Sequence, residues 1–344
     1  MKEDKNTEAS RPGCGNPAGP PLVIVTGPTA VGKTDISVQL AKRIGGEIIS
    51  ADSMQVYRYM DIGSAKVTPE EMQGVRHYLV DVLEPSDSFD VVRFQKMAEE
   101  AAEEIASHGA VPIVAGGTGF YIQSLLYKID FEQTEEHPEI RRRYEQIAAE
   151  KGAEYLHTLL READPKAAEA IHPSNVKRTV RALEYHELTG KPISEHNEKE
   201  RAKTSPWHFV YFVLTRNRRD LYDRINRRVD FMFEQGLLDE VRRLEQMGYR
   251  ETDVAMQGIG YKELLAYLHG KGTLEEAKEQ IKLSSRHYAK RQLTWFRRER
   301  DVTWVNLDGK TEDEVLDEMA GRLREAGILR DDADFNEGDE RADR

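Results

Sequence analysis

One octapeptide restricts this chain more than any other feature. Gly27-Pro28-Thr29-Ala30-Val31-Gly32-Lys33-Thr34 satisfies the phosphate-cradle pattern G-x-x-x-x-G-K-[ST] in full. It follows an apolar run, Leu22 to Val25, fit for a buried strand. It precedes Asp35 to Ile44, where Ile36, Val38, Leu40, Ala41 and Ile44 recur at helical spacing. A strand, a glycine loop and a helix in that order aim the loop amides and the helix N-terminus at an anion. Lys33 adds a point charge on the outer phosphates, and the Thr34 hydroxyl can hold a Mg²⁺. The implied ligand is a di- or triphosphate.

Further short apolar runs occur at Glu47 to Ser50, Tyr78 to Leu83, Val111 to Ala115 and Phe209 to Leu214, mostly separated by segments that can carry helices, such as Val91 to His108. This alternation predicts an α/β fold with a P-loop NTPase-like parallel sheet core. Between about Asp130 and Ser205 the strand signals vanish, and polar helical stretches bounded by Pro138, Pro165, Pro173 and Gly190 take over. An inserted all-helical domain at 130–205 is therefore expected, with the core formed by 21–129 and 206–310. After the strand near Phe209 the pattern is helical over Arg218 to Glu234, Leu237 to Met247, Lys262 to His269 and Thr273 to about Arg300, with a last short strand near Trp304. Residues 1–20 are rich in Pro, Gly and charge and read as a disordered tail. Residues 311–344 read as a helix and an acidic disordered end, since Asp331 to Arg344 holds seven carboxylates against two arginines.

With 39% hydrophobic residues among 344, the chain can bury a sizeable core. Cys14 is the only cysteine, which excludes a disulfide framework or a cysteine zinc site and predicts a reducing, cytoplasmic setting. No apolar stretch approaches the length of a membrane span, so no membrane partner is expected. A formal charge of −12 disfavours nucleic acid as a bulk electrostatic partner, yet the sign reverses locally. Arg286 to Arg300 carries six lysines and arginines against one glutamate, interleaved with Tyr288, Trp295 and Phe296. Such a helix either meets a nucleic-acid backbone and its bases or buries its aromatics and solvates its charges. Lys177, Arg178 and Arg181 form a second basic face on a helix of the insertion.

Ligands of open α/β sheets bind beyond the carboxyl ends of the strands. The loop at 27–34, the residues after Ser50 and the turn Gly116-Gly117-Thr118-Gly119 should therefore converge. Asp52 in that crevice reads equally as a base or metal holder and as a turn aspartate. Asp81 resembles the metal-holding aspartate of a nucleotidase strand. Thr118 could donate to a ligand, although turn geometry explains it as well. Tyr57, Phe120 and Tyr121 either line an apolar pocket or belong to the core. The strand at Val111 to Ala115 ends in glycines rather than a water-activating acidic pair, which disfavours a hydrolytic motor and favours group transfer.

Taken in order, the motifs resemble the bacterial tRNA dimethylallyltransferases, the IPP transferase family. They are the cradle, Ser50-Ala51-Asp52-Ser53-Met54-Gln55-Val56-Tyr57, Met60-Asp61-Ile62-Gly63-Ser64-Ala65-Lys66, Gly116-Gly117-Thr118-Gly119-Phe120-Tyr121, Gly258-Ile259-Gly260-Tyr261-Lys262 and Lys290-Arg291-Gln292-Leu293-Thr294-Trp295-Phe296-Arg297. The likeness runs from about Pro21 to Leu307. It implies a monomeric enzyme that moves a dimethylallyl group from dimethylallyl diphosphate to N6 of the adenine at tRNA position 37, beside the anticodon. It implies that the cradle, residues 27–34, holds the prenyl diphosphate rather than ATP, with Mg²⁺ at Thr34. Asp52 would accept the proton of the attacking amine, Thr118 would position the reacting groups, and Lys33 would steady the departing charge. Contacts to tRNA would fall on Asp52, Ser53, Met54 and Gln55; on Asn175, Val176, Lys177, Arg178 and Thr179; on Gln257, Gly258, Ile259, Gly260, Tyr261 and Lys262; and on Lys290, Arg291, Gln292, Leu293, Thr294, Trp295, Phe296 and Arg297.

Overall fold

The structure is a computed structural model that describes residues 14–131 and 137–329. Its elements begin with β1 (Cys14–Gly15), β2 (Pro21–Thr26), α1 (Lys33–Ile44), β3 (Gly46–Ala51), α2 (Pro69–Met72), β4 (His77–Tyr78), α3 (Val91–Ser107), β5 (Val111–Gly116) and α4 (Gly119–Tyr127). A run of helices follows: α5 (Pro138–Lys151), α6 (Ala153–Ala163), α7 (Pro165–Ala170), α8 (Val176–Thr189) and α9 (Ile193–Arg201). The chain then returns through β6 (His208–Thr215), α10 (Arg218–Glu234), α11 (Leu237–Gln246), α12 (Tyr261–Leu268), α13 (Leu274–Phe296), β7 (Val302–Asn306) and α14 (Glu312–Glu325). Two compact units result: Ile129–Thr204 is one, and the chain on either side of it forms the other.

The larger unit is a sheet in the order β4-β3-β5-β2-β6, parallel throughout. Beyond β6, the edge is shared by antiparallel β1 at its start and parallel β7 along the rest. Both faces are covered, as a parallel sheet requires. Leu22 and Ile24 of β2 enter one apolar cluster with α3, α4, α11 and α12, while Val23 and Val25 enter another with α1 and α14. This is the period-two alternation of a strand buried on both sides. The helical unit has its own small core around Leu156, Leu160, Val180 and Leu183. Its breaks follow local chemistry: Pro138 and Pro165 open α5 and α7 at the first helical position, and Gly190 closes α8 in the left-handed region.

Two expectations need correction. The apolar run at Tyr78 to Leu83 pairs with the sheet only over His77–Tyr78, because Leu79 (φ 62°) and Asp81 (φ 57°) turn left-handed and lead the chain away. Asp81 is therefore not at the sheet's working edge. Its carboxylate pairs with the Lys66 ammonium, which also donates to Asp61 (2.7 Å) and to the Tyr57 carbonyl (2.7 Å). Within the segment read as an irregular tail, Cys14–Gly15 adds a short strand against Phe209 and His208. Residues 1–13 and the acidic stretch 330–344 lie outside the described residues. Among the described residues, no helix is long and apolar enough to cross a membrane.

Candidate active site

Sheet register explains why three distant loops meet. Gly116 pairs with Thr26 on one side and with Ala51 on the other, so the carboxyl ends of β3, β5 and β2 finish in one row. The next residues are Asp52, Gly117 and Gly27. Hydrogen bonds tie the row together: the Thr26 hydroxyl donates to the Gly116 carbonyl (2.6 Å) and the Thr118 amide to that of Ala51 (3.2 Å).

The cradle owes its shape to residues in the left-handed region: Gly27 (φ 151°), Ala30 (φ 62°) and Gly32 (φ 110°), which caps α1. A Cβ at Gly27 would also press on the Leu214 carbonyl. Lys33 folds over the loop and donates to the carbonyls of Gly27 and Pro28, both at 3.0 Å. Burial, then the neighbouring Arg228, pulls its ammonium down to about 8, with Asp52 acting in the opposite sense. Arg216 donates to the Val31 carbonyl (2.9 Å) and Arg224 to that of Ala30 (2.8 Å). Burial also lowers Arg224 and Arg228, and Asp52 counteracts it at Arg228. Four cationic side chains thus surround one short loop, an arrangement that a polyanion relieves.

Arg224 and Arg228 were missed in the sequence, where Arg218 to Glu234 read only as a helix, as was Arg216 just before it. The usable signal was spacing: Arg224 and Arg228 lie one turn apart on the helix that follows β6, the neighbour of the cradle strand.

Asp52 makes the turn that one of its readings expects. One carboxylate oxygen accepts from the amides of Met54 (2.8 Å) and Gln55 (3.4 Å), which makes the turn. The other has no hydrogen-bond partner among the described residues. Thr118 caps α4, and its hydroxyl is buried with no hydrogen bond. Tyr57 and Tyr121 belong to the core, packed with Phe89 and Phe94, whereas Phe120 is partly exposed and meets Trp295 edge to face.

Helix α13 docks on this edge through the glycines. A Cβ at Gly117 would overlap the Gln292 amide, and one at Gly119 would overlap the Trp295 indole. Gln292 is buried; it accepts from the Thr29 amide (2.8 Å) and donates to the Gly117 carbonyl (2.9 Å). It is a brace between two loops rather than an RNA-facing side chain, which corrects the expectation for it. Phe296 is likewise wholly buried, and Leu293 packs on the second apolar cluster. Lys290, Arg291, Thr294 and Arg297 are exposed on the other face. The helix therefore carries both a core stripe and a basic stripe.

Of the remaining segments, Gly258 approaches the Met54 thioether so closely that a Cβ would collide, which joins Ser53–Gln55 to Gln257–Lys262. The Gln55 amide is spent on the Ala65 carbonyl (3.0 Å), and Gln257 donates to the Glu251 carbonyl. Ile259 packs on the core, and Gly260 (φ 99°) caps α12. Tyr261 is fully buried; its hydroxyl donates to Glu240 (2.8 Å), which also accepts from the amides of Asp61, Ile62 and Gly63. It supports the loop from inside, again unlike the expectation, while Lys262 is exposed. In the helical unit Asn175 caps α8, Val176 and Thr179 face inward, and Lys177 and Arg178 are exposed. Arg181 is engaged by the buried Glu184 (3.2 Å).

Residues 55–299 match the model of the IPP transferase family. A tRNA dimethylallyltransferase of Lachnoclostridium phytofermentans is 55% identical over 311 residues, covering 90% of this chain and 99% of that protein. The crystal structure of the full-length tRNA isopentenylpyrophosphate transferase of Bacillus halodurans is 45% identical with a TM-score of 0.68, covering 90% and 98%. A eukaryotic dimethylallyltransferase, solved acting on tRNA, is 29% identical with a TM-score of 0.76, covering 91% and 81%.

Proposed function

The chain belongs to the IPP transferase family, and on that premise we propose that it transfers a dimethylallyl group from dimethylallyl diphosphate to N6 of the adenine at tRNA position 37, releasing diphosphate. The observation that carries this reading is the shared row of Asp52, Gly117 and Gly27, which sets a carboxylate beside a phosphate cradle. An adenine amino group is a weak nucleophile, so the carbon–oxygen bond of the donor must break as the new carbon–nitrogen bond forms. The electron pair leaves with the diphosphate, and the amine's proton passes to the free oxygen of Asp52. Lys33 and Arg228 beside the cradle would meet that growing negative charge with little reorganisation.

A Mg²⁺ fits this arrangement. Among the described residues no three acidic, histidine or cysteine side chains cluster to form a cage. The protein's share would be the Thr34 hydroxyl, with diphosphate oxygens and water completing the shell, the usual pattern for this ion. When bound it neutralises charge on the leaving group. The exposed Lys262, Lys290, Arg291 and Arg297, with Lys177 and Arg178 of the helical unit, suit the tRNA backbone, and the target base must leave its stack to reach Asp52.

Incubating the protein with dimethylallyl diphosphate and unmodified tRNA, and separately with AMP or ATP as acceptor, tests this. The expected product is N6-dimethylallyladenosine in tRNA alone. Asp52→Asn should bind tRNA normally and transfer about a hundredfold more slowly. Prenylation of AMP but not of tRNA would overturn the acceptor, and an unimpaired Asp52→Asn would overturn the base.

A further inference from the structure

Tyr288 lies just outside the run of α13 assigned to tRNA, and no role above uses it. Its position is specific. Tyr288, Gln292 and Trp295 recur at i, i+4 and i+7, so they form one stripe along the helix. Two members of that stripe enter the two glycines that flank Thr118: Gln292 meets Gly117 and Trp295 meets Gly119. Tyr288, one turn earlier, brings its phenol to the side chains of Thr118 and Gln292, within the field of Asp52. The Thr118 hydroxyl beside it is buried, and the phenol is the side-chain group that reaches it. A buried hydroxyl and a half-buried phenol therefore lie side by side near Asp52. A phenol so placed keeps its O–H available for a ligand entering beside Asp52.

Resting on the function proposed above, the geometry points to Tyr288 as a substrate-positioning residue whose phenol donates a hydrogen bond to one of the two ring nitrogens, N1 or N7, that flank the reacting amine of adenine. Burial, and then Asp52, pushes the phenol up to about 12, so it stays protonated and acts as a donor throughout the working range. The Arg291 guanidinium lies over its ring, 5.6 Å from the centroid, on the side of the basic stripe. A donor here does two things. It fixes the plane of the base so that the amine faces the donor carbon, and it distinguishes adenine from a base that presents N–H at the same place.

The test compares wild type with Tyr288→Phe on tRNAs carrying adenosine, 1-deazaadenosine or 7-deazaadenosine at the reacting position. On adenosine, kcat/KM should fall roughly 10- to 100-fold, as for loss of a hydrogen bond to a buried partner. On one of the two deaza substrates the same substitution should have less than about a twofold effect, because the partner nitrogen is already gone. Melting temperature and affinity for an unreactive allylic thiodiphosphate should not change. An equal effect of Tyr288→Phe on all three substrates, unchanged kinetics on adenosine, or a parallel loss of thiodiphosphate affinity would each overturn the assignment. Failure of the wild type to prenylate the adenosine tRNA would instead overturn the function on which it rests.

Discussion

Replacing Gln292 with leucine separates two roles that its motif leaves indistinguishable. The structure gives the side chain two hydrogen bonds, from the Thr29 amide at 2.8 Å and to the Gly117 carbonyl at 2.9 Å, and buries it almost completely. Leucine keeps most of the volume and removes both bonds, leaving a cradle amide and a turn carbonyl without partners. Each orphaned buried group costs about 1–3 kcal/mol, so the loss should be roughly 2–6 kcal/mol. In a unit of this size that lowers the melting temperature by roughly 4 °C at the least. Part of the loss should appear as weaker binding, because the Thr29 amide belongs to the loop that holds the diphosphate. Thermal denaturation and calorimetric titration with an allylic thiodiphosphate read the two effects together. A variant that keeps its melting temperature and thiodiphosphate affinity but loses tRNA affinity would refute the brace and restore Gln292 to the RNA surface.

Other consequences are equally specific. With Lys33 near 8 in the free protein against its usual 10.5, the unfolded chain binds more protons between those values. The cost of the buried charge is therefore fully present below about pH 8 and is relieved as pH rises towards 10.5. A bound diphosphate should raise the ammonium again, so binding should take up about half a proton at pH 8 and about a tenth at pH 7. Calorimetry in buffers of different ionisation enthalpy measures this, and an identical uptake in Lys33→Met would remove Lys33 as the source. Replacing Arg291 and Arg297 with glutamine should weaken tRNA binding and flatten its salt dependence by roughly one logarithmic slope unit for each phosphate that is no longer neutralised. If only thermal stability moved, the outer face of α13 would not be the RNA surface.

Much of this site was legible in the sequence. The cradle is a local motif, so strand, loop and helix could be read from adjacent residues, and the convergence of Asp52 and Thr118 on it follows from how parallel sheets end. What stayed hidden depends on which way a side chain turns. Gln292, Tyr261 and Phe296 sit in runs shared with exposed residues, and only the docking of α13 and the Glu240 carboxylate decide that they face inward. Arg216, just after β6, and Arg224 and Arg228 of α10 reach the cradle from the neighbouring strand and its helix, and the one-turn spacing of the last two points to a shared face without saying what that face meets. The apolar run after Tyr78 failed as a strand because Lys66 holds Asp81 where the backbone turns left-handed.

The central claim is that the cradle grips an allylic diphosphate, and equilibrium titration tests it directly. Wild type and Lys33→Met are titrated with dimethylallyl thiodiphosphate and with ATP, in the presence of Mg²⁺. The account predicts saturable binding of the thiodiphosphate, at least about tenfold weaker in the variant for loss of a charge-assisted hydrogen bond, and displacement by diphosphate. Tight, Lys33-dependent binding of ATP with no binding of the thiodiphosphate would contradict it.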